Sequence, residues 1–161
     1  MLSFIKLFST FVTRKKFMFS KSCEYGIRAS IYVAKNSLKN RKVSLIEVAK
    51  HTDSPPAFMA KILQKLTRTD IISSFKGPTG GFSIALDNLE KISLLNIVLA
   101  MDGDGIFENC TLGLRKCDVE KPCPLHFKFR LIRDEMRETL ESTSLRSLAE
   151  QVSDGITFLK R

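Results

Sequence analysis

The chain has 161 residues, 43% of them hydrophobic, and carries 26 Lys and Arg against 17 Asp and Glu, a formal net charge of +9. This length suits one domain with an added arm, and the apolar share is enough to bury a core without disulfide bonds. No apolar run approaches the roughly 20 residues of a membrane-spanning helix, which argues against an integral membrane protein and predicts a cytoplasmic one.

The positive charge is concentrated in the first part of the chain. Residues 1–96 contain 16 Lys and Arg and 6 Asp and Glu, whereas residues 97–161 contain 10 and 11. Basic residues that only kept the surface soluble would be spread more evenly, so this asymmetry favours a polyanionic partner. We therefore predict that the first part binds nucleic acid.

The first 17 residues, MLSFIKLFSTFVTRKKF, resemble a targeting peptide only weakly. Lys6 interrupts the apolar stretch, the basic cluster 14–16 follows that stretch instead of preceding it, and a small-residue cleavage site is missing. We interpret residues 1–17 as a disordered basic extension, with Met18 as an alternative start of the functional chain.

Three helices are predicted next. Apolar residues at helical spacing indicate a first helix over residues 22–38. Ser44 and Glu47 form a capping box that opens a short second helix ending near residue 50. After a polar turn, Pro55–Pro56 suits the first turn of a third helix that ends near residue 69, since amides there need no intrahelical partner.

The third helix is amphipathic. One side carries the apolar residues Phe58, Ile62, Leu63 and Leu66, and the other carries Lys61, Gln64, Lys65 and Arg68. Alone, this pattern is equally typical of a solvated surface helix. After a short helix and a tight turn, it is typical of a helix-turn-helix unit, whose second helix fits the DNA major groove.

A β-hairpin is predicted after the third helix. Apolar and polar residues alternate over residues 71–76 and 82–86, and the sequence Gly-Pro-Thr-Gly-Gly at 77–81 provides the turn. A hairpin in this position is called a wing. The predicted fold class is therefore mainly α with a small β-hairpin wing, a winged helix-turn-helix over residues 18–102.

Two further helices are predicted in the C-terminal part. One begins at Ser93 and stops at the Asp-Gly pairs of residues 102–105, which we interpret as turns and not as a calcium loop. The other runs from about 124 to 141 with an apolar stripe of Leu125, Phe129, Ile132, Met136 and Leu140. This stripe could pack inside the chain, but its length and position favour subunit pairing in a homodimer. Residues 124–152, including a last short helix between Ser144 and Glu150, are the predicted dimerisation segment, and 153–161 a loose tail.

Three of the four cysteines, Cys110, Cys117 and Cys123, lie in a polar loop that we define as residues 103–123, the cysteine loop. Clustered thiolates without a secretory signal favour a metal or a redox reaction over disulfides. A Cys3His zinc site with His126 is one alternative, but structural zinc sites use closer pairs. The wider spacing favours an iron–sulfur cluster, with His126 or Glu24, from either subunit, as the fourth ligand.

Taken together, these motifs resemble the Rrf2 family of winged-helix transcriptional regulators, including its IscR-like and NsrR-like members. The resemblance covers residues 18–152. It rests on FSKSCEYGIRASIYVA, SPPAFMAKILQKL, SSFKGPTGGFSIAL and the three-cysteine loop that closes in CPLH. It implies a dimer that binds a partly palindromic DNA operator, with recognition helices in major grooves and wings in adjacent minor grooves.

The resemblance also assigns functional residues. It implies that the three loop cysteines hold a [2Fe–2S] or [4Fe–4S] cluster, that His126 corresponds to the histidine ligand of IscR-like members, and that Glu24 corresponds to the acidic ligand that NsrR-like members receive from the other subunit. The expected DNA contacts are Ser54, Ala57, Lys61, Lys65 and Arg68 on the third helix and Lys76, Thr79 and Gly80 in the wing. Lys76 and Thr79 replace the Arg and Gly of many members, and the first cysteine interval is one residue longer than in IscR-like members, so operator sequence and cluster type stay open.

The predicted function is a transcriptional regulator, most simply a repressor, controlled by a cluster that senses redox state, nitric oxide or the supply of iron or clusters. The alternative is a regulator without a cluster that uses zinc or direct thiol oxidation. An enzyme is not expected, because the sequence has neither a phosphate-binding glycine loop nor a nucleophile–base pair.

Overall fold

The computed structural model describes residues 18–159, so the predicted basic extension lies outside the described residues. This part of the chain folds into helices and one two-stranded antiparallel sheet. The elements are α1 (Lys21–Ser37), α2 (Leu45–Thr52), α3 (Pro56–Arg68), β1 (Ser73–Phe75), β2 (Gly81–Ser83), α4 (Leu86–Leu89), α5 (Leu94–Asp102), α6 (Gly105–Glu108), α7 (His126–Ser142) and α8 (Leu145–Ser153). The predicted fold class, mainly α with a small hairpin, is confirmed.

Helix α1 forms the centre of the core and packs against α2, α3, α5 and α8. Its N-cap is Ser20, whose side chain accepts a hydrogen bond from the amide of Cys23. Asp102, at the end of α5, accepts hydrogen bonds from both the amide and the hydroxyl of Ser20. A Cβ added at Gly26 would lie 2.9 Å from Cγ of Met101, so this glycine permits the close approach of α5 to α1.

The helix-turn-helix unit follows the predicted order. Both halves of the Ser44–Glu47 capping box are present. Helix α2 continues two residues beyond the predicted end and stops where Asp53 adopts a left-handed conformation with φ of 55°. Near the start of α3, Met59 is fully buried. Phe58, which we placed on the apolar side of this helix, is only half-buried, and its ring packs edge-on against Tyr25.

The wing is shorter than predicted. Ile71 and Ile72 are buried in the core, and their amides bond to the carbonyl of Leu66 at the end of α3 instead of joining a strand. At the other end, Ile84 donates to the hydroxyl of Ser37, and Leu86 begins α4. Within the hairpin, Ser74 pairs with Phe82. A backbone bridge from Phe82 to Val43 adds a third extended segment and anchors the wing to the helices.

Helix α7 covers the core only in part. Of its predicted apolar stripe, Leu140 is buried, Phe129 and Met136 are half-buried, and Ile132 is 56% exposed. Helix α8, capped by Ser144, folds back onto α1; Glu150 lies inside this helix and not at its end. In the predicted loose tail, Leu159 packs against the core while Phe158 is exposed. Among residues 18–159, none of the helices is long and apolar enough to cross a membrane.

Candidate functional site

The N-terminal end of α3 is open to solvent. Pro55 occupies the N-cap and makes no side-chain capping bond. Pro56, the first residue of this 13-residue helix, has no amide hydrogen, and the amides of Phe58 and Met59 both donate to the carbonyl of Pro55, so the exposed end acts on phosphate groups mainly through the positive end of the helix dipole. Ala57 in this first turn is exposed, and Ser54 just before it is half-buried with its hydroxyl 3.0 Å from that of Thr52.

The three predicted basic contacts on α3 do not lie in equivalent surroundings. Lys61 and Arg68 are exposed. Lys65 is also on the outside of the helix, but its ammonium donates a 2.8 Å hydrogen bond to the carbonyl of Met101 at the C-terminal end of α5. This bond turns the charge of Lys65 towards the core side of α3. Sequence spacing could not reveal the bond, because Met101 lies 36 residues away.

In the wing, Lys76 and Thr79 are exposed, whereas Gly80 is half-buried and has a structural task. A Cβ at Gly80 would lie 2.3 Å from the carbonyl oxygen of Phe75, closer than real Cβ contacts come. The amide of Gly80 bonds to the carbonyl of Gly77 and closes the turn. Glycine at position 80 therefore holds Lys76 and Thr79 at the tip of the wing.

A further cation beside the wing was missed by the sequence analysis. The ammonium of Lys42 lies 4.3 Å from the centre of the Phe75 ring, and Phe75 itself is 44% exposed. The basic run of Arg41 and Lys42 directly before α2 was the available signal, within the basic part of the chain. Lys42 therefore extends the positive surface from α3 to the wing.

Changing Lys61 and Lys65 separately should have different effects on DNA binding. We expect Lys61→Ala to weaken binding to any DNA duplex and to lower the slope of log affinity against log salt by about 1, because one phosphate contact is lost. Lys65→Ala should leave that slope unchanged and lower the free energy of unfolding by about 1 kcal/mol, because it removes an internal hydrogen bond. Salt-dependent fluorescence anisotropy and urea titration measure the two effects. Equal loss of salt slope in both variants would contradict this assignment.

The cysteine loop brings its three thiols together at the start of α7. Cys110, Cys117, Cys123 and His126 line one small cavity with Thr111, Leu125, Phe129 and Arg133. Cys110 and Cys123 are close enough for Cys123 to contribute to the lowered pKa of the Cys110 thiol. The sulfur of Cys117 lies 3.3 Å from Nδ1 of His126. The structure therefore brings the three predicted cysteine ligands and His126 to one place, with Cys117 and His126 in direct contact.

Polar groups around the cavity favour negative charge on the sulfur of Cys110. The pKa of the Cys110 thiol is lowered, chiefly by the backbone amide of Leu114, with further contributions from the Leu112 amide, Cys123 and the positive charge of Arg133. His126 is only 4% exposed, and its Nε2 has no hydrogen-bond partner among residues 18–159. A buried imidazole nitrogen without a partner is a candidate ligand atom.

Glu24, the remaining predicted ligand, and Cys23, the fourth cysteine, do not line this cavity within one chain. Glu24, in the first turn of α1, forms a 2.7 Å ion pair with Lys21. Cys23 is fully buried in the core, as expected for a packed thiol, and burial together with nearby Asp102 raises its pKa to about 12.

The donors at this cavity are three thiols and one imidazole, with backbone amides and a guanidinium nearby. Among the described residues, no group of three or more His, Cys, Asp or Glu side chains is spaced to hold one metal ion. Thiolates with amide and guanidinium donors nearby are the usual surroundings of iron–sulfur clusters, whose irons are bound by separate thiolates. Three thiols and one imidazole around one cavity match the ligand types of such a cluster.

Comparison with known sequences identifies the family. The profile of the Rrf2 family, described as an iron-dependent transcriptional regulator, matches residues 19–151. An HTH-type transcriptional regulator of Aquifex aeolicus is 30% identical over 133 residues, which cover 81% of this chain and 90% of that protein. The HTH-type transcriptional regulator IscR of Vibrio cholerae is 23% identical over 124 residues, covering 77% and 70% of the two chains.

Solved structures share the fold. CymR, the global cysteine regulator of B. subtilis, matches with a TM-score of 0.66 and 22% identity, over 82% of this chain and 95% of that one. T. potens IscR matches with a TM-score of 0.67 and 15% identity, over 89% and 93%. Together with the family match, these comparisons and the winged-helix architecture show that the chain belongs to the Rrf2 family of DNA-binding transcriptional regulators.

Proposed function

We propose that this chain is a cytoplasmic, homodimeric repressor whose binding to a double-stranded DNA operator is controlled by an iron–sulfur cluster in the cysteine loop. The observation that carries the proposal is the convergence of Cys110, Cys117, Cys123 and His126 on one cavity. The DNA-binding unit is residues 18–102, the cluster segment 103–123 and the dimerisation segment 124–152.

The proposed ligands are the three loop cysteines and one further residue. His126 is favoured as the fourth ligand by its contact with Cys117 and its unpaired Nε2 among the described residues. The alternative fourth ligand is Glu24 of the partner subunit. It requires a dimer in which α1 of one protomer lies against the cysteine loop of the other. When bound, the cluster supplies iron and sulfide that react with oxidants or nitric oxide and that depend on iron supply.

The loop is well placed to influence the DNA-binding helix. It begins one residue after Asp102, which holds the N-cap of α1, and two residues after Met101, whose carbonyl binds Lys65 of α3. It ends three residues before α7 begins. A change in the loop can therefore alter both the position of α3 and the pairing of α7, which together set the spacing of two recognition helices.

Helix α7 provides the proposed dimer surface. In α7 the apolar side chains of Phe127, Leu131 and Ile132 are 59%, 71% and 56% exposed. Phe127 and Leu131 are four residues apart and share one helix face, and exposed apolar side chains grouped in this way are typical of interaction surfaces. Pairing two copies of α7 would cover them and would set two α3 helices on opposite sides of a two-fold axis.

Direct thiol chemistry is the second candidate function. The shared cavity of Cys110 and Cys123 and the lowered pKa of Cys110 favour a thiol that oxidises readily. Staphylococcus aureus CymR, whose structure has been solved in an oxidised form, has 23% sequence identity to this chain. A Cys3His zinc site would use the same residues as the cluster.

Anaerobic purification distinguishes these functions. We expect a coloured protein that contains iron and acid-labile sulfide, and a colourless Cys110→Ala, Cys117→Ala, Cys123→Ala triple variant. Cys23→Ala is the matched control, because it removes a thiol outside the loop and should keep the colour. Operator binding is then measured with and without the cluster. A colourless wild-type protein lacking iron and sulfide would contradict the cluster, and its zinc content and free-thiol count would separate the two alternatives.

A further inference from the structure

Arg133 of α7 joins two points of the cysteine loop to the helix. Its Nη1 donates a 2.7 Å hydrogen bond to the carbonyl of Asn109, next to Cys110. Its Nη2 lies 3.3 Å from the sulfur of Cys117 and donates to it. These contacts span 24 and 16 residues of sequence. One guanidinium group therefore holds both the beginning and the middle of the cysteine-bearing segment.

The neighbouring arginines of α7 make other contacts. Arg130 lies 3.7 Å from Asp134 on the same helix, and the guanidinium of Arg137 lies 4.3 Å from the centre of the Phe107 ring. Arg133 is half-buried and lines the small cavity that contains all three loop cysteines. The geometry at Arg133 requires a planar group with two donors in fixed directions, which lysine does not provide.

We propose that Arg133 is a positioning residue that fixes the cysteine loop on α7 and donates a hydrogen bond to the sulfur of Cys117 when that sulfur binds the cluster. The second half of this proposal rests on the proposed function, whereas the first half concerns the loop alone. Hydrogen bonds to ligand sulfur stabilise the reduced, more negative cluster. Arg133 therefore raises the reduction potential of the cluster and links its state to the proposed dimer helix.

Two readouts test the two halves. Arg133→Met should shift the reduction potential to a more negative value in an anaerobic redox titration followed by visible absorbance. In protein freed of the cluster by chelation, the same substitution should speed tryptic cleavage after Arg115 and Lys116 several-fold, because the loop is no longer held to α7. Both basic residues lie in the loop and are exposed. Mass spectrometry identifies the cleavage sites.

Arg130→Met is the matched control, because it also removes one arginine and one tryptic site from α7. We expect it to change neither readout. Arg133→Lys should restore the cleavage rate and the potential only partly, since it retains the charge without the paired donors. Circular dichroism verifies that each variant is folded.

Each outcome has a definite meaning. An unchanged potential together with an unchanged cleavage rate in Arg133→Met overturns the proposal. A changed cleavage rate with an unchanged potential overturns the sulfur hydrogen bond and leaves the tether. If the wild-type protein carries no cluster, the proposed function fails, and the cleavage rate by itself decides whether Arg133 holds the loop.

Discussion

Replacing Leu131 with glutamate should convert the proposed dimer into a monomer and weaken operator binding by at least about 100-fold, because two linked half-site contacts become one. Leu131 is the most exposed apolar residue of α7, at 71%, and Phe127 lies one helical turn before it. In a two-fold symmetric interface each substitution occurs twice, so two carboxylates would be buried without partners. The fold should persist, since Leu131 is not part of the core.

Sedimentation equilibrium and anisotropy with a full operator, at one fixed salt concentration, measure the two effects. Phe158→Glu is the matched control, because it places the same charge on a 75% exposed apolar residue outside α7. We expect that control to remain dimeric with wild-type affinity. A Leu131→Glu protein that stays dimeric would show that subunit pairing uses another surface.

Replacing His126 with asparagine should lower the iron and sulfide content of the anaerobically purified protein at least tenfold, whereas Glu24→Ala should leave it nearly unchanged. The buried Nε2 of His126 is without a hydrogen-bond partner among the described residues, and Nδ1 already contacts Cys117. Glu24 is held by Lys21 on its own helix. Loss of a ligand or of a group that orients one commonly lowers metal affinity by factors of about 10 to 100.

The reverse result would assign the fourth ligand to Glu24. A mixed dimer then distinguishes the two subunits as its source. One protomer would carry the Cys110, Cys117 and Cys123 to Ala substitutions and its partner Glu24→Ala. Retention of about half the wild-type iron would show ligation across the interface, whereas complete loss would show ligation within one chain. Far-UV circular dichroism separates ligand loss from unfolding, since His126 is buried at the start of α7.

Local features of the fold could be predicted because short-range interactions determine them. The capping box of Ser44 and Glu47 acts over three residues, and Pro56 suits the first turn of a helix in any context. The Gly-rich turn of the wing was equally clear. Short helices α4 and α6, of four residues each, escaped prediction because so few residues do not establish a periodicity.

The candidate site, like the fold, could be predicted from the sequence only in part. Residue type and spacing were enough to indicate a metal or redox centre, because three cysteines share one polar loop. The sequence could not show that Arg133 binds Cys117, that Lys65 binds the Met101 carbonyl, or that Ile71 and Ile72 leave the wing for the core. These side chains could each have made other contacts, and only the packing of α1, α3, α5 and α7 selects one.

The sequence by itself therefore determined the order of the longer helices, the position of the wing, the concentration of positive charge and the grouping of three cysteines in one loop. Each of these depends on residue type and on spacings within a few residues. Only the tertiary structure decided which cations face outward, which apolar residues of α7 stay uncovered, and which thiols meet which partners. Those outcomes depend on contacts between residues 9 to 82 positions apart, from Cys117–His126 to Ser20–Asp102, and these residues meet only when the helices pack around one core.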